Sequence, residues 1–498
     1  MKRLLAVAVV VLCASSAYAA APPLQVFGEI AIAPIDREIA AWNAVVVAAG
    51  APSAPFEHDQ VLANIAKALD FPVPDGTDLR RPLSVVVTDP RGHAHPMLLT
   101  VEVANESKFA AATQGLPTGI AVRRQKRLAV LGDPELLKIV GDYALSRLRD
   151  APKDGARARV FLAPLWAAFG AQAAMLRAVL VGQPKSSTGI PPETTLQLFD
   201  AVISGAQQVS ELQLEAHAGP GGSVDAPIRL IAIPGSNIDH FIARQKPSDF
   251  SMLSQMPDLP FSYIGAGHID MSGEPGFSDW IFGPPKDDQD RITRAETLKI
   301  SAGELAMSNQ VITSTQMAAR FLIRAPAGVT PTKAIVLAMF NAMSGSALLG
   351  GMTKMVSKAL PASAYDGLTI NNDQIDVDMG QLARTPETAH IKQSRAWTMW
   401  GNLIASVTSD HAAAELPAVL DAARHGTKTW KPNAEQSRGL EGARAAKESF
   451  AVLFDPKAMD VFKTDKSASQ LNLGSPACFI GFGGHQGWLR FRMGGARN

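Results

Sequence analysis

Cysteine is almost missing from this chain: Cys13 and Cys478 are the two in 498 residues. Cys13 lies inside an N-terminal segment with the three parts of a secretory signal. Lys2 and Arg3 come first, Leu4 to Leu12 is unbroken apolar sequence, and Ala17-Tyr18-Ala19 supplies the small residues that a signal peptidase reads. Residues 1–19 are therefore expected to be cleaved off. The apolar stretch is shorter than the ~20 residues of a spanning helix, and Leu12 stands where a lipid-attachment box needs a small residue. Cleavage leaves Cys478 as the one thiol, so no intramolecular disulfide can brace the body. Core burial alone must hold it, and a chain of this length buries enough apolar surface to do so.

A charge excess of one sign is missing too. Lys and Arg number 47 against 46 Asp and Glu, and loss of Lys2 and Arg3 leaves 45 against 46. That excludes the clustered basic surplus of a nucleic-acid binder. The densest basic cluster, Arg123, Arg124, Lys126 and Arg127, falls at an expected hairpin turn and reads as solvated. Residues 160–176 and 334–353 are uncharged and read as buried core helices. Catalytic signatures are absent as well: there is no Gly-x-Ser-x-Gly elbow, no Gly-Lys-Ser/Thr phosphate loop and no His-Glu-x-x-His.

What is present is alternation of strand and helix signals. Gln25–Ala33 is an expected strand, followed by a helix from Asp36 that Gly50 ends. Leu98–Val103 is a second strand. Ile120–Arg123 and Leu128–Leu131 form a hairpin that turns into a helix at Asp133-Pro134, a good cap and a good first helical residue. Leu212–Ala216 and Ile228–Ile233 flank the turn Gly219-Pro220-Gly221-Gly222. A similar order follows in Phe261–Ile269, Ala319–Ile323, Leu403–Val407, Phe450–Phe454 and the hairpin Cys478–Phe482 with Trp488–Met493. The expected fold class is α+β. Two similar halves, 20–240 and 261–498, flank a linker region at 241–260. Each is expected to be a mostly antiparallel curved sheet with helices packed on one face, because short hairpins favour antiparallel pairing.

Strands run into helices at short polar or Pro-containing junctions: Leu131-Gly132-Asp133-Pro134-Glu135-Leu136, Phe454-Asp455-Pro456 and Ile233-Pro234-Gly235-Ser236. In this the chain is similar to large exported bacterial proteins of unknown function with repeated strand–helix units. The resemblance implies an exported α+β protein and brings no catalytic residues with it.

Several residues carry candidate chemistry. His93 and His95, two apart, would share one face of a strand and could reach one metal ion, although Asp89-Pro90-Arg91-Gly92 and Pro96 indicate a turn. Met339, Met343, Met352 and Met355 fall at helical spacings within 334–358, a face suited to apolar ligands or soft Cu(I). Trp397, Trp400 and Trp488 lie on expected strands beside hairpin turns, where they would line a groove or pack an edge. Ser236, Asp239 and His240 read as a helix cap rather than a hydrolase triad, being too close in sequence to converge. Asp373, Asp376 and Asp378 alternate with Ile375 and Val377, as in a half-buried strand whose acids face water.

The expected function is that of a non-enzymatic binding protein for an apolar small molecule or lipid, or for an envelope protein partner. The alternatives are a hydrolase or metal-dependent enzyme of the envelope, and an envelope scaffold. No cofactor, no nucleic-acid partner and no stable transmembrane span after signal cleavage are expected. The expected location is the periplasm, with the extracellular space or cell surface as other destinations.

Overall fold

The structure is a computed structural model that describes residues 22–48, 53–182, 192–219, 222–272, 287–312, 316–344, 354–378, 390–455 and 476–493. The expected signal segment 1–19, Met352 and the helix expected from Pro456 lie outside them. Fifteen elements come first: β1 (Val26–Ile32), α1 (Ile35–Ala48), α2 (His58–Leu69), β2 (Leu83–Thr88), β3 (Met97–Glu102), α3 (Glu106–Gln114), β4 (Ala121–Gln125), β5 (Leu128–Gly132), α4 (Pro134–Arg147), β6 (Ala156–Phe161), α5 (Leu162–Gly182), α6 (Pro192–Gln207), β7 (Val209–Ala218), β8 (Val224–Ala232) and α7 (Asn237–Arg244). Then follow β9 (Tyr263–His268), α8 (Asp288–Ser301), β10 (Glu304–Val311), β11 (Met317–Arg324), α9 (Lys333–Ser344), β12 (Lys354–Tyr365), β13 (Leu368–Asp378), β14 (His390–Trp400), β15 (Leu403–Ser409), α10 (Ala412–His425), α11 (Ala434–Ala445), β16 (Glu448–Phe454), β17 (Pro476–Gly483) and β18 (Gln486–Met493).

Local chemistry sets the helix ends. The Asp133 carboxylate accepts from the backbone N–H groups of Glu135 and Leu136, and Pro134 occupies the first helical position of α4. Asn433 and Gln436 form a reciprocal capping box at the start of α11. Gly426, with φ +65°, closes α10 in the left-handed conformation.

The protein is an α+β fold around one large antiparallel sheet of 18 strands, with eleven helices among the described residues. Two pairings bridge distant parts of the chain: β8 with β18 across eight residue pairs, and β9 with β16. Outward from the β8–β18 contact, one direction runs β8, β7, β6, β1, β2, β3, β5, β4. The other runs β18, β17, β16, β9, β10, β11, β15, β14, β13, β12.

Helices do not keep to one face. On β3 and β5, Leu99, Val101 and Leu131 pack with Ile35 and Phe109 of α1 and α3. The intervening Leu98 and Val130 pack with Leu136, Val140 and Ala144 of α4. Farther along the sheet, Ala405 and Val407 of β15 meet α10, while Ile404 meets Ile300 of α8 and Val336, Met339 and Phe340 of α9. The reason is in the strands themselves: runs such as Leu98-Leu99 are apolar at consecutive positions, so both faces must be buried. The side of the sheet under α1 and α3 is face A, and the side under α4 is face B.

Two further expectations change. The apolar run 160–176 is not a buried core helix: the apolar window of α5 is only 11% buried, because the helix leaves the sheet and lies along α6. The segment 241–260 does more than link, since Phe250, Met252, Leu253 and Met256 enter the largest hydrophobic cluster.

Gly267 sits where β9 pairs on one side with β10 and on the other with β16. Its φ is +155°, and a Cβ there would lie 2.1 Å from the Ser449 carbonyl oxygen and 2.5 Å from the Phe450 Cα. Gly267→Ala is expected to cost about 3 kcal/mol by forcing two backbones apart. Gly170→Ala, in the open on α5, is expected to add roughly 0.5–1 kcal/mol through helix propensity. Urea denaturation of both variants checks the contrast.

Candidate functional site

The residues singled out in the sequence do not gather at one place. Trp397 is fully buried, and its indole N–H donates to Asp373 Oδ2 at 3.1 Å. Trp400, three positions on, packs against the opposite cluster, because an odd spacing on a strand switches faces. Trp397 has no exposed surface with which to line a groove, and Trp400 is half-buried. Met339 is 3% exposed beside Phe340 and Trp397. Met355 stands on β12 rather than on a helix, so the helical methionine face does not continue past α9. The Met343 side chain lies outside the described residues. The stretch expected to be helical over 334–358 begins as α9 and ends in β12.

Asp373 does not face water. It is buried and accepts from Arg395 Nε and Nη2 at 3.1 and 2.9 Å, while that guanidinium lies 4.6 Å from the Phe340 ring centre. Asp376 pairs with His390 and Lys392 at the surface. His93 Nδ1 lies 3.5 Å from Asp133 Oδ2, the α4 cap, and His95 Nδ1 is buried without a protein hydrogen-bond partner. No three metal-ligating side chains converge among the described residues. Ser236 caps α7: its Oγ accepts from the Asp239 N–H at 3.2 Å. Asp239 accepts from the Gly235 N–H at 2.8 Å and meets His485, not His240, at 2.6 Å.

What the register does assemble is a row of polar residues across the middle of the sheet. Glu29 on β1 stands opposite Arg159 on β6, Arg159 opposite Gln213 on β7, and Gln213 opposite Arg229 on β8. Arg229 stands opposite Trp488 on β18, Trp488 opposite Gly481 on β17, and Gly481 opposite Glu448 on β16. Seven strands thus contribute one residue each to a single line on face B, and the line crosses the β8–β18 contact. Gly481 is required here, since any Cβ would lie 2.3 Å from the Trp488 indole that reaches over it toward Glu448.

The row is dense with ion pairs. Arg159 donates to Glu29 at 2.9 Å and to Glu211 at 2.7 Å, and the Tyr143 hydroxyl from α4 donates to Glu29 at 2.9 Å. Arg229 lies 3.4 Å from Glu215, and Arg490 lies 3.4 Å from Glu448 and 3.7 Å from Asp225. Burial opposes the Arg159 charge, but Glu211 and Glu29 outweigh it and hold the guanidinium above its ordinary range. Burial together with Glu29 pushes the Tyr143 phenol up. Glu448 is 0% exposed and its Oε2 has no protein partner; burial pushes its carboxyl up despite Arg490. Gln213 is 1% exposed and its Oε1 is likewise unpartnered. Buried acceptors left open in this way cost stability.

Face B is covered by α4 over β2 to β5 and by α10 and α11 over β14 to β16. Between them no described helix packs closely on β7 or β8 on this face, and on β18 it is the Arg492 end that α11 reaches, at Gly442. From β6 to β17 this strip is about 19 Å wide at the usual strand spacing. Sequence reasoning missed it because its members range from residue 29 to residue 490, and each alone reads as the solvated side of a strand.

Because the folded Glu448 carboxyl titrates above its unfolded range, the fold holds more protons in that window, and stability falls as pH rises through it. Glu448→Gln removes this loss. The variant is expected to match wild type in acid and to melt progressively higher than wild type as pH climbs past the ordinary carboxylate range. Melting curves across pH check it.

Comparison with known proteins returns no matching family model, no matching curated protein and no matching solved structure.

Proposed function

We propose that this is an exported, non-enzymatic binding protein built from two similar halves, and that it holds a polar segment of a partner protein in the strip over β7, β8 and β18. The observation that carries the reading is the polar row across the β8–β18 contact, over whose middle strands no described helix packs, with Arg229 and Arg490 as its partly exposed charges. A strip of this width accommodates one helix of about 10 Å diameter or an extended strand. Its charges of both signs suit a partner segment that is itself mixed in charge.

The strand orders on the two sides support the duplication. Pairing β1 with β9, β2 with β10, β3 with β11, β4 with β14, β5 with β15 and β6–β8 with β16–β18 makes them coincide, with β12 and β13 as an added hairpin. The helices α4 and α10 then follow equivalent strands, as do α3 and α9. Export to the periplasm or the cell surface rests on the signal-like residues 1–19. The same charges that would grip a partner already neutralise one another, which favours recognition over acid–base chemistry.

A second reading has its own observation. An apolar recess between α1, α2 and the sheet is lined by Ile35, Ile39, Trp42, Phe56, Val61 and Ile65, and suits a lipid-like small molecule.

Photo-crosslinking in the envelope of an expressing cell separates the two. A benzophenone side chain at position 229 or 490 is expected to give discrete protein adducts, and one at the fully exposed Asp59 none. Adducts of equal yield at all three positions, or none at 229 and 490, reject the strip as the contact site. Native mass spectrometry showing a lipid-sized mass that is lost on denaturation, and lost in Trp42→Ala, favours the recess instead.

A further inference from the structure

The helical pair α5–α6 leaves the body between β6 and β7. Its base is anchored: Leu162, Leu165, Trp166 and Ala206 pack with Val160, Leu212 and Leu230 on face A. Phe27 stacks edge-on against Phe169, and Arg91 donates to the Ala168 carbonyl. Past that point the support ends. From Ala171 to Val181 every residue of α5 is exposed except Ala173 and Leu180, which are half-buried. Met175 is 68% exposed, Val179 56% and Val181 59%.

These positions do not form a stripe. At about 100° per residue, Ala171, Ala174, Met175, Leu176, Ala178, Val179 and Val181 cover more than half of the circumference. The remainder faces α6. There sits the one charge of this stretch, Arg177, held by two 2.7 Å hydrogen bonds to Asp200 of α6. The one charge of residues 171–181 is therefore paired, and Gln172 is the one polar side chain on their exposed side.

Among the described residues, α5 is the one helix long and apolar enough to cross a membrane. Burial in a core does not account for it, at 11%, and neither does N-terminal targeting, at residue 162. A partner protein or a second copy would cover one side of the arm and leave apolar surface in water on the others. Lipid surrounds it on all exposed sides at once.

We propose that the projecting part of α5 enters one leaflet of a lipid bilayer and ties the body to the membrane surface. The length agrees: residues 171–181 extend about 16 Å, matching one leaflet's roughly 15 Å of hydrocarbon and falling short of a crossing. The contact is hydrophobic rather than electrostatic, because the arm carries no net charge in this stretch.

The test is sedimentation of the mature full chain with uncharged phosphatidylcholine vesicles, at low and at high salt. Wild type is expected to pellet with the vesicles at both. The double variant Met175→Glu, Val179→Glu loses two buried apolar side chains and is expected to bind at least about tenfold more weakly. Both positions are exposed, so its circular dichroism and melting curve are expected to stay as in wild type. A fluorophore sensitive to polarity, attached at Met175→Cys in a Cys478→Ser background, is expected to shift to the blue on vesicle addition. Wild type left in the supernatant, binding unchanged in the double variant, or a fluorophore that reports water throughout would each overturn the proposal. Loss of a concentration-dependent dimer in the variant, without vesicle binding by wild type, would assign the arm to a second copy instead. The photo-crosslinking at positions 229 and 490 is unaffected by any of these outcomes.

Discussion

The β8–β18 ladder is the constraint on which the rest of the architecture depends. It joins Val224–Ala232 to Gln486–Met493 through eight residue pairs in register. Without it the sheet would present two long unpaired edges at its centre, each a template for pairing with another chain. With it, one sheet runs unbroken through all 18 strands. The polar row, the strip on face B and the relation between the two strand orders all exist only because this ladder closes.

The row shows what an extended sheet does to charge. Glu29, Arg159, Gln213, Arg229, Trp488 and Glu448 come from six strands, yet the antiparallel register sets them side by side. Arg159 reaches two carboxylates and Glu29 receives two donors, so most of the row neutralises itself. Glu448 and Gln213 are the places where the accounts of donors and acceptors stay open. Natural sheets tolerate such groups where specificity matters more than stability, and apolar replacements of similar volume often stabilise.

Much of the local structure was legible in the sequence. The paired strands on either side of Gly219–Gly222, the hairpin of Cys478–Phe482 with Trp488–Met493, the Asp133-Pro134 start of α4 and the Ser236 cap of α7 are short-range signals, and each appears at the stated place. The helix expected after Thr332 is there as α9, but its expected continuation to residue 358 is not, because an apolar run also fits a buried strand and Met355 stands on β12. Asp373 was read as solvated from its alternation with Ile375. Its partner Arg395 lies 22 residues away, on a neighbouring strand that periodicity cannot locate. Helices on both faces followed from consecutive apolar residues in β2, β3 and β5, a pattern present in the sequence but outweighed there by the hairpin signals. The polar row needed the register itself, which no local pattern contains.

The register of β8 also bears on how the chain is made. Ile231 emerges long before its partner Gln486, so β8 must wait with one edge bare while more than half the sheet is still to come. The strand is composed for that interval. Pro227 offers no N–H to a stray strand, and Asp225 and Arg229 flank it with opposite charges. The residues that later sit at the centre of the finished sheet thus serve first as its guard against misassembly.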